Sequence, residues 1–168
     1  MHWCVLCIYL FFFSMSSAHA QVFTQYETAF NRLGWSHEIG LGIRQEGQHY
    51  QFGLKIYEPD FTFEKNLPGV FIKHNWVLFD WGKTNLQTRA ALDLFYEKKG
   101  DLNFWLSNLM VGFQINRKLA KKLSFNFEMS TGPVLTLTKN KDADEKNRFQ
   151  YFNYQAGLGL VYTFSTAD

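Results

Sequence analysis

Polar and apolar side chains alternate with a period of two, segment after segment, along most of this chain. The pattern is cleanest at residues 49–58, where Tyr50, Phe52, Leu54 and Ile56 share one face and Gln51, Gly53 and Lys55 the other. It returns at 123–135, with Leu123, Phe125, Phe127 and Met129 against Ser124, Asn126, Glu128 and Ser130. At 152–164, Phe152, Tyr154, Leu158, Leu160, Tyr162 and Phe164 oppose Asn153, Gln155, Gly157, Gly159 and Thr163. Side chains of an extended strand point alternately to its two faces, so this period predicts strands with one apolar and one polar face. Runs at 36–44, 70–79, 84–97 and 103–116 carry the same signal with more interruptions, and 22–31 carries it most weakly. Polar segments with a glycine or a run of charge separate them at 45–48, 80–83, 98–101 and 116–122, as turns require, and 117–122 has room for a helical turn. The expected fold is all-β: an antiparallel up-and-down barrel of about eight strands, with the count open between eight and ten.

Two connections are longer, 58–67 and 139–148. The second is almost wholly charged or polar, with Ala143 its one apolar residue, and reads as a solvated, mobile loop. Membrane-spanning bacterial barrels have an even number of strands, short turns on the periplasmic side and longer loops outside. If the last strand ends on the short-turn side, both long connections fall on the other. The mature N-terminus then joins the short turns only if 22–31 is itself a strand.

The first twenty residues read as a cleavable export signal. An apolar stretch from Val5 to Met15 leads into Ser16-Ser17-Ala18-His19-Ala20, a small-residue cleavage site before Gln21. The stretch is too short for a bilayer-spanning helix, which needs about 20 residues. The expected division is therefore residues 1–20 as signal peptide and 21–168 as one outer-membrane barrel domain. Both cysteines, Cys4 and Cys7, fall within the signal, so the mature part has no disulfide framework. All Asp, Glu, Lys and Arg lie beyond it, and their near balance (net +2) argues against nucleic acid as a partner.

Alternation alone does not say which face points outward, because a soluble lipid-carrying barrel of lipocalin type is built from the same pattern turned inside out. Charge and volume decide. The polar face carries Glu27, Glu38, Arg44, Lys55, Lys73, Arg89, Asp93, Glu97 and Glu128, and the apolar face carries none of the four charged types. An eight-stranded barrel has room inside only for side chains. The polar face is rich in small residues, among them Gly40, Gly42, Gly53, Gly132, Gly157 and Gly159, and the bulky face fits better outside. By this reading Leu54→Arg should harm assembly and Gly53→Ser should be milder. Aromatic residues then form two rims, with Tyr50, Trp81, Phe113, Tyr162 and Phe164 at one and Tyr96, Trp105, Phe152 and Tyr154 at the other.

The final strand, Gly157-Leu158-Gly159-Leu160-Val161-Tyr162-Thr163-Phe164, alternates and closes on an aromatic residue. In this it resembles the C-terminal strand of the small eight-stranded outer-membrane barrels, the family of the OmpA transmembrane domain. The resemblance implies an outer-membrane location in a Gram-negative cell, outer-membrane lipid as surroundings, and recognition by the barrel-assembly machinery during biogenesis. Four residues follow Phe164 here.

Catalytic, cofactor-binding and metal-ligating residues are each expected to be none. The nearest catalytic pair is His74 and Ser107, both on the apolar face with one strand between them; Glu64 or Glu97 would be a loose third member. Backbones about 10 Å apart would keep such a pair from meeting. His37, His49 and His74 do not have a metal-ligand spacing. The inward charges, five acidic and four basic, are expected to pair across the lumen and plug it, with Lys73 and Glu128 meeting Arg89 and Asp93. Three functional classes follow: a structural or interaction protein of the outer membrane, such as an accessory subunit of a larger complex; a lipid-modifying barrel enzyme; and a soluble periplasmic lipid carrier.

Overall fold

A computed structural model describes residues 20–32, 34–58, 66–99, 102–140 and 143–164, without the side chains of 97–99, 102–104, 136–140 and 143–151. The proposed export signal lies outside these residues apart from Ala20. The strands are β1 (Gln21–Asn31), β2 (Gly34–Gln45), β3 (Gln48–Tyr57), β4 (Leu67–Asp80), β5 (Thr84–Lys99), β6 (Leu102–Lys118), β7 (Leu123–Asn140) and β8 (Ala143–Thr163). Each pairs antiparallel with its neighbours in sequence, and β1 pairs with β8, from Phe23↔Thr163 to Asn31↔Gln155, to close an eight-stranded barrel. The weakest sequence segment is thus the closing strand, and the count is eight.

The start of β1 and the end of β8 share one end of the barrel, the terminal end, with the connections after β2, β4 and β6. Strands β1, β3, β5 and β7 end at the opposite, far end. At the terminal end, Glu46 and Gly47 both take positive φ, 46° and 77°. Two positive values in succession are what a two-residue hairpin demands to follow the strand twist, and Gly47 supplies one without strain. After β4, the Asp80 carboxylate accepts a hydrogen bond from the Gly82 amide at 2.8 Å. After β6, residues 119–122 form bends rather than a helical turn, and the strand itself runs on to Lys118.

The loop expected at 139–148 is strand at 139–140 and 143–148, and residues 141 and 142 lie outside the described residues. β7 continues to Asn140 and β8 begins at Ala143, with Thr136↔Arg148, Leu137↔Asn147 and Thr138↔Lys146 in register. A membrane-crossing strand needs only about 9–11 residues. At 18 and 21 residues, β7 and β8 outrun that length and stand well beyond β1, β2 and β3 at 10–12. Where a ribbon has left lipid, both its faces meet water, so apolar alternation vanishes while the backbone ladder persists.

The side-chain partition is that of a globular protein reversed. Among the described residues, buried polar side chains outnumber buried apolar ones, and large apolar side chains are exposed on every strand. Leu54, Ile72 and Met129 expose 61%, 62% and 58% of their surfaces, while Glu27, Lys55, Arg89 and Glu128 are buried. The apolar wall is continuous around the barrel, far larger than any patch a soluble monomer carries. Exposed charges among the described side chains keep to strand ends and turns, as with Glu58, Asp80, Arg117 and Lys118. This removes the soluble-carrier reading, because such a carrier needs the apolar face inside.

The reason for one of the small residues lies in the backbone. A Cβ on Gly53 would lie 2.1 Å from the Ile39 carbonyl oxygen and 2.5 Å from the Gly40 Cα, both backbone atoms of β2. Gly53 is there to let two strands approach, and Gly53→Ser is not mild. Its expected cost is about 1–3 kcal/mol, the usual range for overpacking, read as a lower unfolding midpoint in detergent; an unchanged midpoint would contradict this packing.

Candidate functional site

The barrel interior gathers the charges that the sequence distributes over separate strands. Glu27, Glu38 and Lys55 sit side by side on β1, β2 and β3, in the register Glu27↔Glu38↔Lys55. Two carboxylates facing inward from neighbouring strands repel one another and require cations between them. Lys73 on β4 supplies one: its Nζ lies 3.4 Å from Glu27 Oε1 and also contacts Glu38. Arg89 on β5 supplies another, pairing with Glu128 on β7 and lying 3.7 Å from both Glu27 Oε2 and Glu38 Oε1. Lys55 forms a second centre toward the far end, donating to Asp93 Oδ2 at 2.8 Å and to Gln155 Oε1 at 3.1 Å, with Glu38 Oε2 3.6 Å away.

Amides complete the network. Gln25 and Asn126 donate to Glu27 Oε2 at 2.5 and 3.3 Å, Asn108 donates to Asp93 at 3.3 Å, and Gln155 donates to Glu128. Glycine makes the room: a Cβ on Gly157 would come within 3.1 Å of Glu27 Oε1 and 3.0 Å of Glu128 Cγ. Every residue here is at most 5% exposed apart from the glycine. Charges so placed are tolerable only when paired and hydrogen-bonded. The ion pairs tie β1, β2, β3, β4, β5 and β7 together across the lumen.

Arg89 and Glu128 do meet, with Asp93 in a separate layer, but Lys73 pairs differently from the sequence-based expectation. It meets Glu27 and Glu38 rather than Asp93, whose cation is Lys55. Arg44 does not join the network; it lies nearer the terminal end, its guanidinium 5.8 Å from the centre of the Phe23 ring. The side chain of Glu97 lies outside the described residues. Asn108, Asn126 and Gln155 escaped the charge-based reading, although their places on the polar face of an alternating strand were a signal.

His74 and Ser107 are not brought together. His74 aligns with Ala90 and Val111, whereas Ser107 aligns with Leu94 and Val70, so they are two strands apart and four residues out of step. That offset adds about 14 Å along the strand to the lateral gap. His74 instead packs between Tyr50 and Trp76, with ring centres 4.2 and 3.8 Å away, and lies 3.3 Å from Gln48 Oε1. His37 is also on the outer wall, between Tyr26 and Glu58, while His49 is inside. Glu64 is outside the described residues.

Among the described residues the outer wall carries a groove of about 690 Å³, bounded by Trp76, Phe113, Met129 and Tyr154 and floored by Thr88 and Ala90. Its walls are bulky and its floor is small.

No protein-family model and no curated protein sequence matches the chain. Solved structures do. The N-terminal β-barrel domain of Pseudomonas aeruginosa OprF is similar at a TM-score of 0.57 and 11% identity, covering 86% of this chain and 97% of that one. The outer-membrane protein AlkL, solved in lipid bilayers, is similar at 0.54 and 10%, covering 91% and 95%. A major outer membrane protein from Thermus thermophilus is similar at 0.52 and 10%, covering 87% and 100%. At such identities the likeness is one of fold. The fold is that of the small eight-stranded outer-membrane barrels, as the final strand implied.

Proposed function

We propose that this chain is a structural or interaction protein of the outer membrane, exported by removal of residues 1–20 and acting as an accessory subunit of a larger outer-membrane complex. The observation that carries the reading is the lumen: Lys55, Lys73 and Arg89 are all consumed in pairing with buried carboxylates, leaving the interior devoted to stability. What remains available for function is the outer wall and the far end. The groove between Trp76 and Tyr154 supports a partner within the bilayer, because small residues such as Ala90 and Thr88 let another membrane segment approach closely. The tall β7–β8 ribbon supports a second surface beyond the membrane.

Copurification in gentle detergent tests the proposal. A stoichiometric outer-membrane partner that is lost on Ala90→Trp, with the barrel still folded, is the expected result. A barrel that purifies alone from gently solubilised membranes would contradict it. Altered lipid A on mass spectrometry after deletion would instead favour an enzyme. The orientation has its own test. An epitope inserted between residues 141 and 142 should be reached by antibody on intact cells; labelling only after the outer membrane is permeabilised would place the far end in the periplasm.

A further inference from the structure

At the terminal end the turns after β4 and β6 lie side by side. Thr84 aligns with Arg117, and the Lys118 amide donates to the Lys83 carbonyl at 2.7 Å. The turn after β6 is also tied to the last strand, where the Thr163 amide donates to the Lys122 carbonyl at 2.9 Å. These backbone bonds gather Lys83, Arg117, Lys118, Lys121 and Lys122, all exposed, at the foot of the outer wall. Among the described residues none of the five pairs with a carboxylate. The one acid in these two turns, Asp80, accepts from the Gly82 amide. The other turn at this end, Glu46-Gly47, carries an acid and no cation. The positive cluster is therefore confined to the β4–β7 side of the barrel.

An apolar surface adjoins it. The register of β4 shifts between Val77 and Phe79, and this bulge leaves Leu78 and Phe79 both exposed. Phe79 stacks on Trp81 with ring centres 5.8 Å apart, and Leu119 is exposed in the neighbouring turn. On β6 the outward row Val111–Phe113–Ile115 continues to Arg117. A cation thus ends a lipid-facing row.

We propose that the turns at 80–83 and 117–122 form a binding site for anionic phospholipid, holding headgroup phosphates of the leaflet at the terminal end. Crowded like charges repel, so the cluster requires anions that its own carboxylates do not supply. Lipid phosphates stand at the level where an apolar wall gives way to charge. Trp81 marks that level, because an indole favours the headgroup boundary. Lysine stems can lie along Leu78, Phe79 and Leu119 while their ammonium groups reach the phosphates. Arg117 offers a planar fork of donors that matches phosphate oxygens. Its place on the membrane-facing row favours lipid over an acidic protein beyond the membrane. The site is independent of the subunit role proposed above.

The test places the purified protein in phosphatidylcholine vesicles with a trace of spin-labelled phosphatidylglycerol or spin-labelled phosphatidylcholine. The spectrum separates lipid held at the protein from free lipid. The anionic label should be held about fivefold more strongly, the effect of a single cation at a membrane surface. A chain carrying Lys83→Gln, Arg117→Gln, Lys118→Gln, Lys121→Gln and Lys122→Gln should hold the two labels equally. Equal retention by the unsubstituted protein would overturn the proposal, and so would a preference that survives the five changes. Level labels together with loss of a copurifying protein from the substituted chain would assign the turns to a protein partner instead. Should the substituted chain fail to fold, salt decides. Raising it to about 1 M shortens the screening length to about 3 Å and should erase the preference of the unsubstituted protein; an undiminished preference would overturn the site.

Discussion

Arg89→Met is expected to lower the unfolding temperature in detergent sharply, by the equivalent of about 3–5 kcal/mol, the usual cost of removing one partner of a buried pair. The guanidinium contacts Glu128 and lies near Glu27 and Glu38. Its loss leaves four buried carboxylates, Glu27, Glu38, Asp93 and Glu128, against Lys55 and Lys73. Methionine fills much of the volume, which isolates the charge from the packing. Adding Glu128→Gln should recover part of the loss, because the carboxylate stranded by the first change is then neutral. An unaltered midpoint for Arg89→Met, or a double variant weaker than the sum of the two single changes, would show that the network does not hold the barrel in this way.

The second large effect lies on the outer wall. Leu54→Arg and Leu160→Arg each place a charge on the face that meets lipid. Leu54 faces outward between Ile39 and Val70, and Leu160 between Tyr26 and Phe125. Near the bilayer midplane such a change costs roughly 2–4 kcal/mol. The expected outcome is impaired insertion into lipid vesicles and a lower midpoint of reversible unfolding there. On a water-facing wall the same arginines would be nearly neutral, so tolerance at both positions would turn the barrel inside out.

Much of this fold was legible because the lipid imposes a rule that a sequence can display. A strand between bilayer and lumen must alternate, and Tyr50–Phe52–Leu54–Ile56 against Gln51–Gly53–Lys55 does so. The same rule fails outside the bilayer. Residues 139–140 and 143–148 lie in strand with no apolar period, and they read as loop because nothing in their sequence separates one face from the other. Pairing partners were partly legible: inward parity placed Arg89 and Glu128 in the lumen, but the stagger of neighbouring strands decides which charges share a level, and it gave Asp93 to Lys55 instead of Lys73. Stagger also separates His74 from Ser107 more widely than a count of strands suggests. Gly53 shows a further limit, since composition marks it as small while only the backbone shows that it must be.

The structure is a lipid-embedded barrel of eight strands whose own side chains close its lumen, and planar-bilayer recording of the purified monomer is its test. Insertion without steady conductance is the expected result, because the charges paired across the lumen leave no continuous path. A large, stable conductance from the monomer would contradict it.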